Sequence, residues 1–307
     1  MSAELRAPAR YAVGVIGTGR VGAVLGAALT RAGHRVVAAA GVSAESVARA
    51  GRLLPGVPLL PADEVVARAE LVLLAVPDDE LGPLVAGLAD TGAWRPGRLV
   101  AHTSGAHGLA VLEPAARAGV RTLALHPAMT FTGTAADLDR LPGTSFGVTV
   151  GEPLRPVAEA LVRQLGGVPV PVAEQARPLY HAALVVGANH LVTLVNEAAD
   201  LLRRAGVEQP GAVLRPLLQA ALDNALTAGD AALTGPVSRG DAGTVAGHLR
   251  TLAEQAPDAV PGYAALARLT AGRALAAGRL SPAQAGPLLD VLGELPRDHR
   301  LPARTDA

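Results

Sequence analysis

The stretch VGVIGTGRVGAVLGAAL, Val13–Leu29, constrains this chain more than any other. An apolar run ends in glycines spaced GxGxxG at Gly17, Gly19 and Gly22, with a fourth at Gly26. Such a run reads as a buried parallel strand. Gly17 permits a tight strand-to-helix turn, Gly19 lets backbone approach a pyrophosphate, and Gly22 lets the helix pack closely on the strand. The helix N-terminus adds free N–H groups and the positive end of a dipole. In a chain with 35 glycines the spacing alone is weak. Its place after a strand, opening a helix in the first βαβ unit, makes it a dinucleotide-binding motif.

The pattern around it alternates. Strands are predicted at Tyr11–Ile16, Arg35–Ala40, Val57–Leu60, Leu71–Val76, Arg98–His102 and Arg121–Leu125, with a final pair at Phe146–Val150 and Val168–Val172. Helices are predicted at Arg20–Ala32, from a Ser43 cap through Gly51, and at Ala62–Ala69, Leu109–Ala118 and Pro156–Leu165. Repeated βα units imply an α/β class with a doubly wound, mostly parallel Rossmann-type sheet. After Pro171 the strand signal ends. A long helical stretch over Glu174–Ala205 is followed by helices at Pro210–Thr227, Thr244–Gln255, Pro261–Ala277 and Pro282–Leu292. The division expected is a dinucleotide-binding domain over 11–172, an all-α domain over 173–295 for substrate and dimerisation, and a flexible tail over 296–307.

Composition removes several chemistries. The chain has no cysteine, so no disulfide, zinc–thiolate site or thiol nucleophile. All 27 basic residues are arginine, so no Schiff base forms and no lysine serves as acid or base. Formal net charge is zero, which gives no reason to expect nucleic acid or an anionic membrane as partner. MSAELRAPAR lacks the apolar core of a signal peptide. No apolar run of membrane-spanning length is free of charges or Pro and Gly clusters. A soluble cytoplasmic protein is expected. The histidines lack metal-ligand spacing, so no metal is expected.

Cofactor contacts are expected from Gly17, Thr18, Gly19, Arg20, Val21 and Gly22. The second strand ends in VVAAAGVSAES, with no acid before Glu45 to take ribose hydroxyls. Ser43 and Ser46 stand where a 2′-phosphate would lie, with Arg20 or Arg49 to pair with it, which favours NADP(H) over NAD(H). Ser43 also reads as the cap of the next helix. Ligands bind at the carboxyl ends of strands in open α/β sheets. That places Val76, Pro77, His102, Thr103 and Ser104 near the ribose and nicotinamide. His126 follows another strand and reads as a substrate contact or a turn residue. On a 3.6-residue period His181, Val185, Asn189 and Asn196 share one helix face. The polar His181 and Asn189 point to a catalytic or substrate role, since burying them unpaired is costly. Arg239 reads as a substrate-carboxylate ligand or as a loop partner of Asp241.

These motifs together resemble a family. GTGRVG, AVPDDEL, HTSG, LHPAMTF, YHAALVVGANH and LTGPVSRGD occur in the order found in bacterial proteins assigned as oxidoreductases. These have a Rossmann-like N-terminal domain and a helical C-terminal domain of unknown function, within the 6-phosphogluconate dehydrogenase-like superfamily. The resemblance implies NADP(H)-dependent reduction of a small carbonyl or imine compound in a cleft between domains. It also implies a homodimer built through the helical half. Some relatives resemble an alternative class of ketopantoate reductase, which makes ketopantoate the leading substrate. A pyrroline-5-carboxylate-like imine reductase, a deazaflavin-dependent reductase and a non-catalytic NADP(H) sensor are the alternatives. Many relatives use a lysine as acid/base with an asparagine four residues on. With no lysine here, Asn189 takes the asparagine role and Ser104 helps orient the substrate. His181, or else His126, supplies the proton, its ordinary pKa of about 6.5 suiting exchange near neutrality.

Overall fold

The computed structural model describes residues 10–293. Seven strands form one sheet: β1 (Ala12–Ile16), β2 (Arg35–Ala40), β3 (Leu71–Leu74), β4 (Leu99–His102), β5 (Arg121–Pro127), β6 (Ser145–Val150) and β7 (Val168–Pro171). Their order is β2-β1-β3-β4-β5-β6-β7, parallel throughout except between β5 and β6. The order reverses direction at β1, so a crevice opens at the carboxyl ends of β1 and β3, where such sheets bind ligands.

The strands are apolar on both sides because helices cover both faces. The helices are α1 (Arg20–Arg31), α2 (Ala44–Leu53), α3 (Ala62–Arg68), α4 (Asp78–Asp90), α5 (Glu113–Arg117), α6 (Arg155–Gln164) and α7 (Arg177–Leu184). Alternate strand residues divide the core. Val13, Val15, Leu71 and Leu73 pack with Leu25 of α1 and Leu161 of α6. Val72 and Leu74 pack with Val65 of α3, Leu81 of α4 and Leu112 before α5. This is the two-residue period of a pleated strand.

Three local expectations change. Val57–Leu60 is reduced to an isolated bridge, Ala39 to Leu59. Leu109–Ala118 is a 3₁₀ turn over Ala110–Leu112 followed by the five-residue α5. Helix α4 is absent from the sequence reading, because Gly82-Pro83 reads as a breaker. It forms because Asp78, Asp79 and Glu80 fill its first turn and Leu81, Val85 and Leu88 make a buried stripe.

The chain divides into two compact units at Asn189–His190, not at the expected 172–173 step. Helix α7 therefore belongs with the sheet. A π-helical turn over Val185–Asn189 ends the first unit. The second unit holds α8 (His190–Arg204), α9 (Pro210–Ala228), α10 (Ala242–Gln255), α11 (Val260–Ala276) and α12 (Pro282–Gly293). Its core joins Val245 and Leu249 to Leu288 and Leu292 through an alanine stripe on α11, Ala264, Ala267, Ala271 and Ala274. The expected tail over 296–307 lies outside the described residues. Glu174–Arg204 is a 31-residue helical run with an apolar window of mean hydropathy 1.3, enough in length and composition to cross a membrane, and none of that window is buried. The sequence reading, which expected no such run, is corrected on that count.

Candidate active site

The site is built first from backbone. Gly17 has φ +93°, and a Cβ on it would fall 2.4 Å from the Ala75 carbonyl oxygen. The Gly17 and Thr18 amides donate to the Ala40 carbonyl, fixing the turn against β2. A Cβ on Gly22 would fall 2.0 Å from the Gly17 oxygen. Gly19, by contrast, faces open space: a Cβ there meets nothing within 4 Å. Gly19 is the N-cap of α1 and supplies no side-chain cap, and the first turn of α1, which holds Arg20, Val21 and Gly22, contains no acid. Helix α4 is the opposite case, with three acids in its first turn. The free amides and positive dipole end of α1 are therefore open to an anion, and those of α4 are not.

A cavity of about 900 Å³ opens here, lined among others by Gly17, Gly19, Val42, Ser43, Val76 and Pro77. Thr18 is fully buried, and its hydroxyl donates to the Ser46 carbonyl, latching the glycine turn to α2. A glycine not singled out from the sequence is needed for this: a Cβ on Gly41 would fall 2.1 Å from Thr18 Oγ1. Ser43 Oγ accepts the Ser46 amide at 3.1 Å, so Ser43 caps α2. The Ser46 hydroxyl is spent on the Ser43 carbonyl. Arg20 and Arg49 meet at Gly133, where a Cβ would fall 3.0 Å from Arg20 Cγ and 2.6 Å from Arg49 Nε. Buried Asp137 holds that turn by accepting from the Thr132 and Gly133 amides. Arg49 Nη1 donates to the Thr18 carbonyl, while its buried Nε has no hydrogen-bond partner among the described residues.

At β4 and β5 the site is built from side chains. His102 is fully buried, its Nε2 hydrogen bonds to the Gly108 carbonyl at 2.8 Å, and its Nδ1 accepts the Ser104 amide. Both nitrogens of this ring, expected near the cofactor, are used to shape the loop. Burial, with Arg177 and His107 adding to it, lowers the His102 pKa to about 4. The Thr103 amide bonds to Leu74, which ties the loop to β3. Ser104 Oγ accepts the His107 amide.

Arg177 organises what surrounds this loop. It is fully buried, and its guanidinium donates to Thr149 Oγ1 and to the carbonyls of Ser104, Ala124 and Gly147 at 2.8–3.1 Å. One side chain thus joins the loop after β4, and strands β5 and β6, to α7. Glu174, three residues earlier, accepts from the Leu109 and Ala110 amides. Arg177 lies 5.9 Å from the Tyr180 ring centroid, a cation–π distance. Tyr180 Oη hydrogen bonds to His126 Nδ1 at 3.0 Å, and His181 stands edge-on to His126 with centroids 6.0 Å apart. A Cβ on Gly105 would fall 2.6 Å from His181 Cδ2 and 3.0 Å from His126 Nε2. Burial first, then the charge of Arg177, lowers the His126 pKa to about 4. His126 is therefore neutral near pH 7.

The structure brings His126 and His181 together against Gly105, next to Ser104 in the chain, and adds Tyr180 and Arg177, which carry no expectation from the sequence. A tyrosine beside a histidine in YHAAL, and an arginine in an otherwise apolar helix start, were the available signals. Asn189 is exposed in the π turn. Hydrogen bonds of the i→i+5 kind put more residues into a turn. The common face expected for His181, Val185, Asn189 and Asn196 assumes unbroken α geometry and is corrected accordingly. Arg239 is exposed on a 3₁₀ turn of the second unit, and Asp241 caps α10 through the Thr244 amide.

Comparisons agree with this architecture. Residues 1–127 match the model of a Rossmann-like domain, and residues 144–270 match a domain of unknown function, DUF2520. No curated protein matches the chain. Similar folds include a Bacteroides fragilis protein assigned as an NADP oxidoreductase (23% identity, 86% of this chain and 98% of that one, TM-score 0.72). An imine reductase from a Pseudomonas species is also similar (18% identity, 87% and 96%, TM-score 0.62). So is the pyrroline carboxylate reductase of Plasmodium falciparum solved with NADP (11% identity, 86% and 98%, TM-score 0.55). Along the chain, a match to a Rossmann-like domain is thus followed by a match to DUF2520.

Proposed function

We propose that the chain is an NADP(H)-dependent oxidoreductase that reduces the carbon–oxygen or carbon–nitrogen double bond of a small compound. The carrying observation is the uncapped, acid-free start of α1 facing the 900 Å³ cavity. The residues fit a dinucleotide. Gly17, Thr18, Gly19, Arg20, Val21 and Gly22 hold its pyrophosphate through backbone. Arg20 and Arg49, with Ser43, take the 2′-phosphate, since a buried guanidinium nitrogen without a partner favours an incoming anion. The same arginines leave NAD(H) as the weaker alternative. Val76, Pro77 and Thr103 border the nicotinamide end. When bound, the cofactor supplies the hydride.

The chain supplies the rest. His126 offers a ring N–H from neutral imidazole, and His181 stands beside it; the Ser104 hydroxyl is assigned to orienting the substrate. Donors already aimed at the charge that develops on the substrate lower the barrier. The role of Asn189 in orienting substrate, and that of Arg239 as a carboxylate ligand, rest on the sequence alone. Helix α8 buries none of its fifteen residues and exposes Leu191, Val192 and Leu194. We read that face as covered by a second copy of the chain, in keeping with a homodimer working in the cytoplasm.

Two substrates follow from different observations. The family resemblance favours ketopantoate. The imine and pyrroline carboxylate reductases among similar folds favour a cyclic imine. The test is consumption of NADPH by purified protein with ketopantoate beside pyrroline-5-carboxylate, NADH being the control. Turnover of either with NADPH supports the reading and selects between them. Tight NADPH binding with no turnover across keto acids and imines overturns it in favour of a sensor.

A further inference from the structure

Resting on that reductase reading, we propose that Tyr180 and His126 form a proton relay. Tyr180 O–H donates to His126 Nδ1, and His126 presents its Nε2–H to the oxygen or nitrogen of the reduced bond. Tyr180 is the positioning residue, since it acts through His126.

Three observations assign the direction of the hydrogen bond. First, Tyr180 Oη and His126 Nδ1 are 3.0 Å apart, with the rings at 89°. Second, Gly147 faces His126 across the β5–β6 ladder, and a Cβ on Gly147 would fall 2.7 Å from the phenol oxygen. Among the described residues His126 Nδ1 is the one hydrogen-bond partner of the Tyr180 hydroxyl. The phenol hydrogen is therefore free for Nδ1, which leaves the ring proton on Nε2. Third, His126 Nε2 has no hydrogen-bond partner among the described residues, and Gly105 is the neighbour that keeps room beside it.

The charges around His126 favour the same arrangement. From α7 it faces Arg177, Tyr180 and His181, from β4 it faces His102, and Asp78 stands at the start of α4. Asp78 alone favours an imidazolium, and burial and Arg177 outweigh it. Arg177 bonds to four protein groups, none of them a carboxylate, so its charge is left to act on its neighbours. Burial raises the Tyr180 pKa, so the phenol is protonated at rest and stores the proton.

The step balances. As the substrate carbon gains hydride, the π electron pair moves to its oxygen or nitrogen. That atom takes the Nε2 proton, Nδ1 takes the Tyr180 proton, and the tyrosinate charge lies beside Arg177. Solvent then returns a proton to Nε2, and the Nδ1 proton returns to Tyr180.

The test reads the rings directly. Long-range ¹H–¹⁵N NMR of the labelled, cofactor-free protein reports the tautomer and charge of each of the eight histidines. A His126→Gln variant identifies the signal. Expected is a neutral Nε2–H ring at His126 from pH 8 to below pH 6, with that preference lost in Tyr180→Phe. The same variant should lower kcat roughly 100-fold, within the range for general acid catalysis, and leave NADPH affinity unchanged. An imidazolium at pH 7, an Nδ1–H ring, or a Tyr180→Phe spectrum like the wild type overturns the relay. Wild-type protein that reduces nothing overturns the reductase reading instead, while the spectrum still decides the relay's hydrogen bonding.

Discussion

The glycine turn at β1 and the imidazole cluster at β4–β6 lie on one sheet but are made differently. The turn is backbone: Gly17, Gly19 and Gly22 fall within six consecutive residues, and what matters is which of them has room. The cluster is side chains. Arg177 reaches carbonyls 30 to 73 residues away in sequence, and His126 meets a tyrosine 54 residues on. A local device tolerates change around it. A device tied together by one buried cation does not.

The largest expected effect breaks the second device. Arg177→Met leaves three carbonyls and the Thr149 hydroxyl without their donor in a dry site. A loss on the order of 3–5 kcal/mol is expected, read as a shift of the denaturation midpoint. A loss under about 1 kcal/mol would mean that the sheet holds the loop without it. Next is pH. His102 and His126 have folded pKa values of about 4, below the unfolded 6.5, so the unfolded state binds more protons between those values. Stability is then full above pH 6.5 and falls as pH drops toward 4. The fully buried His102 accounts for on the order of 3 kcal/mol of this. Chemical denaturation of His102→Asn at pH 7 and pH 4.5 should show a smaller difference than wild type.

The first device separates binding from stability. Gly19→Asp places a carboxylate in open space, so unfolding should move by no more than about 0.5 kcal/mol. The same charge facing a pyrophosphate should weaken NADPH binding roughly 100-fold or more, seen by fluorescence titration. Equal loss of both would show that Gly19 is structural. The smallest effect is at Ser43. Loss of the cap in Ser43→Ala should cost about 1 kcal/mol of stability. If Ser43 also contacts the 2′-phosphate, NADPH affinity should fall while NADH affinity holds.

This contrast also explains what the sequence made legible. The sheet, the helix-only second half and the glycine turn follow from periods of two and 3.6 and from short spacings, and the structure reproduces them. Ser43 as the α2 cap was readable for the same reason. Helix α4 was hidden by Gly82-Pro83, because tertiary burial of Leu81, Val85 and Leu88 overrides the local breaker. Arg177 and Tyr180 were hidden because their partners come from other strands. His102 was readable as a strand-end histidine but not as a ring with both nitrogens spent, since Gly108 returns to it only in the folded loop. The unit boundary moved past α7 because Arg177, with Tyr180, anchors that helix to the sheet.

The most direct measurement of the central claim is steady-state NADPH consumption by the wild-type protein with ketopantoate and with pyrroline-5-carboxylate, alongside NADPH titration of Gly19→Asp. Expected are turnover of one substrate with NADPH and little with NADH, and loss of NADPH binding in the variant. Wild-type protein that binds no NADPH, or that binds it tightly and reduces neither these nor other keto acids and imines, would contradict it.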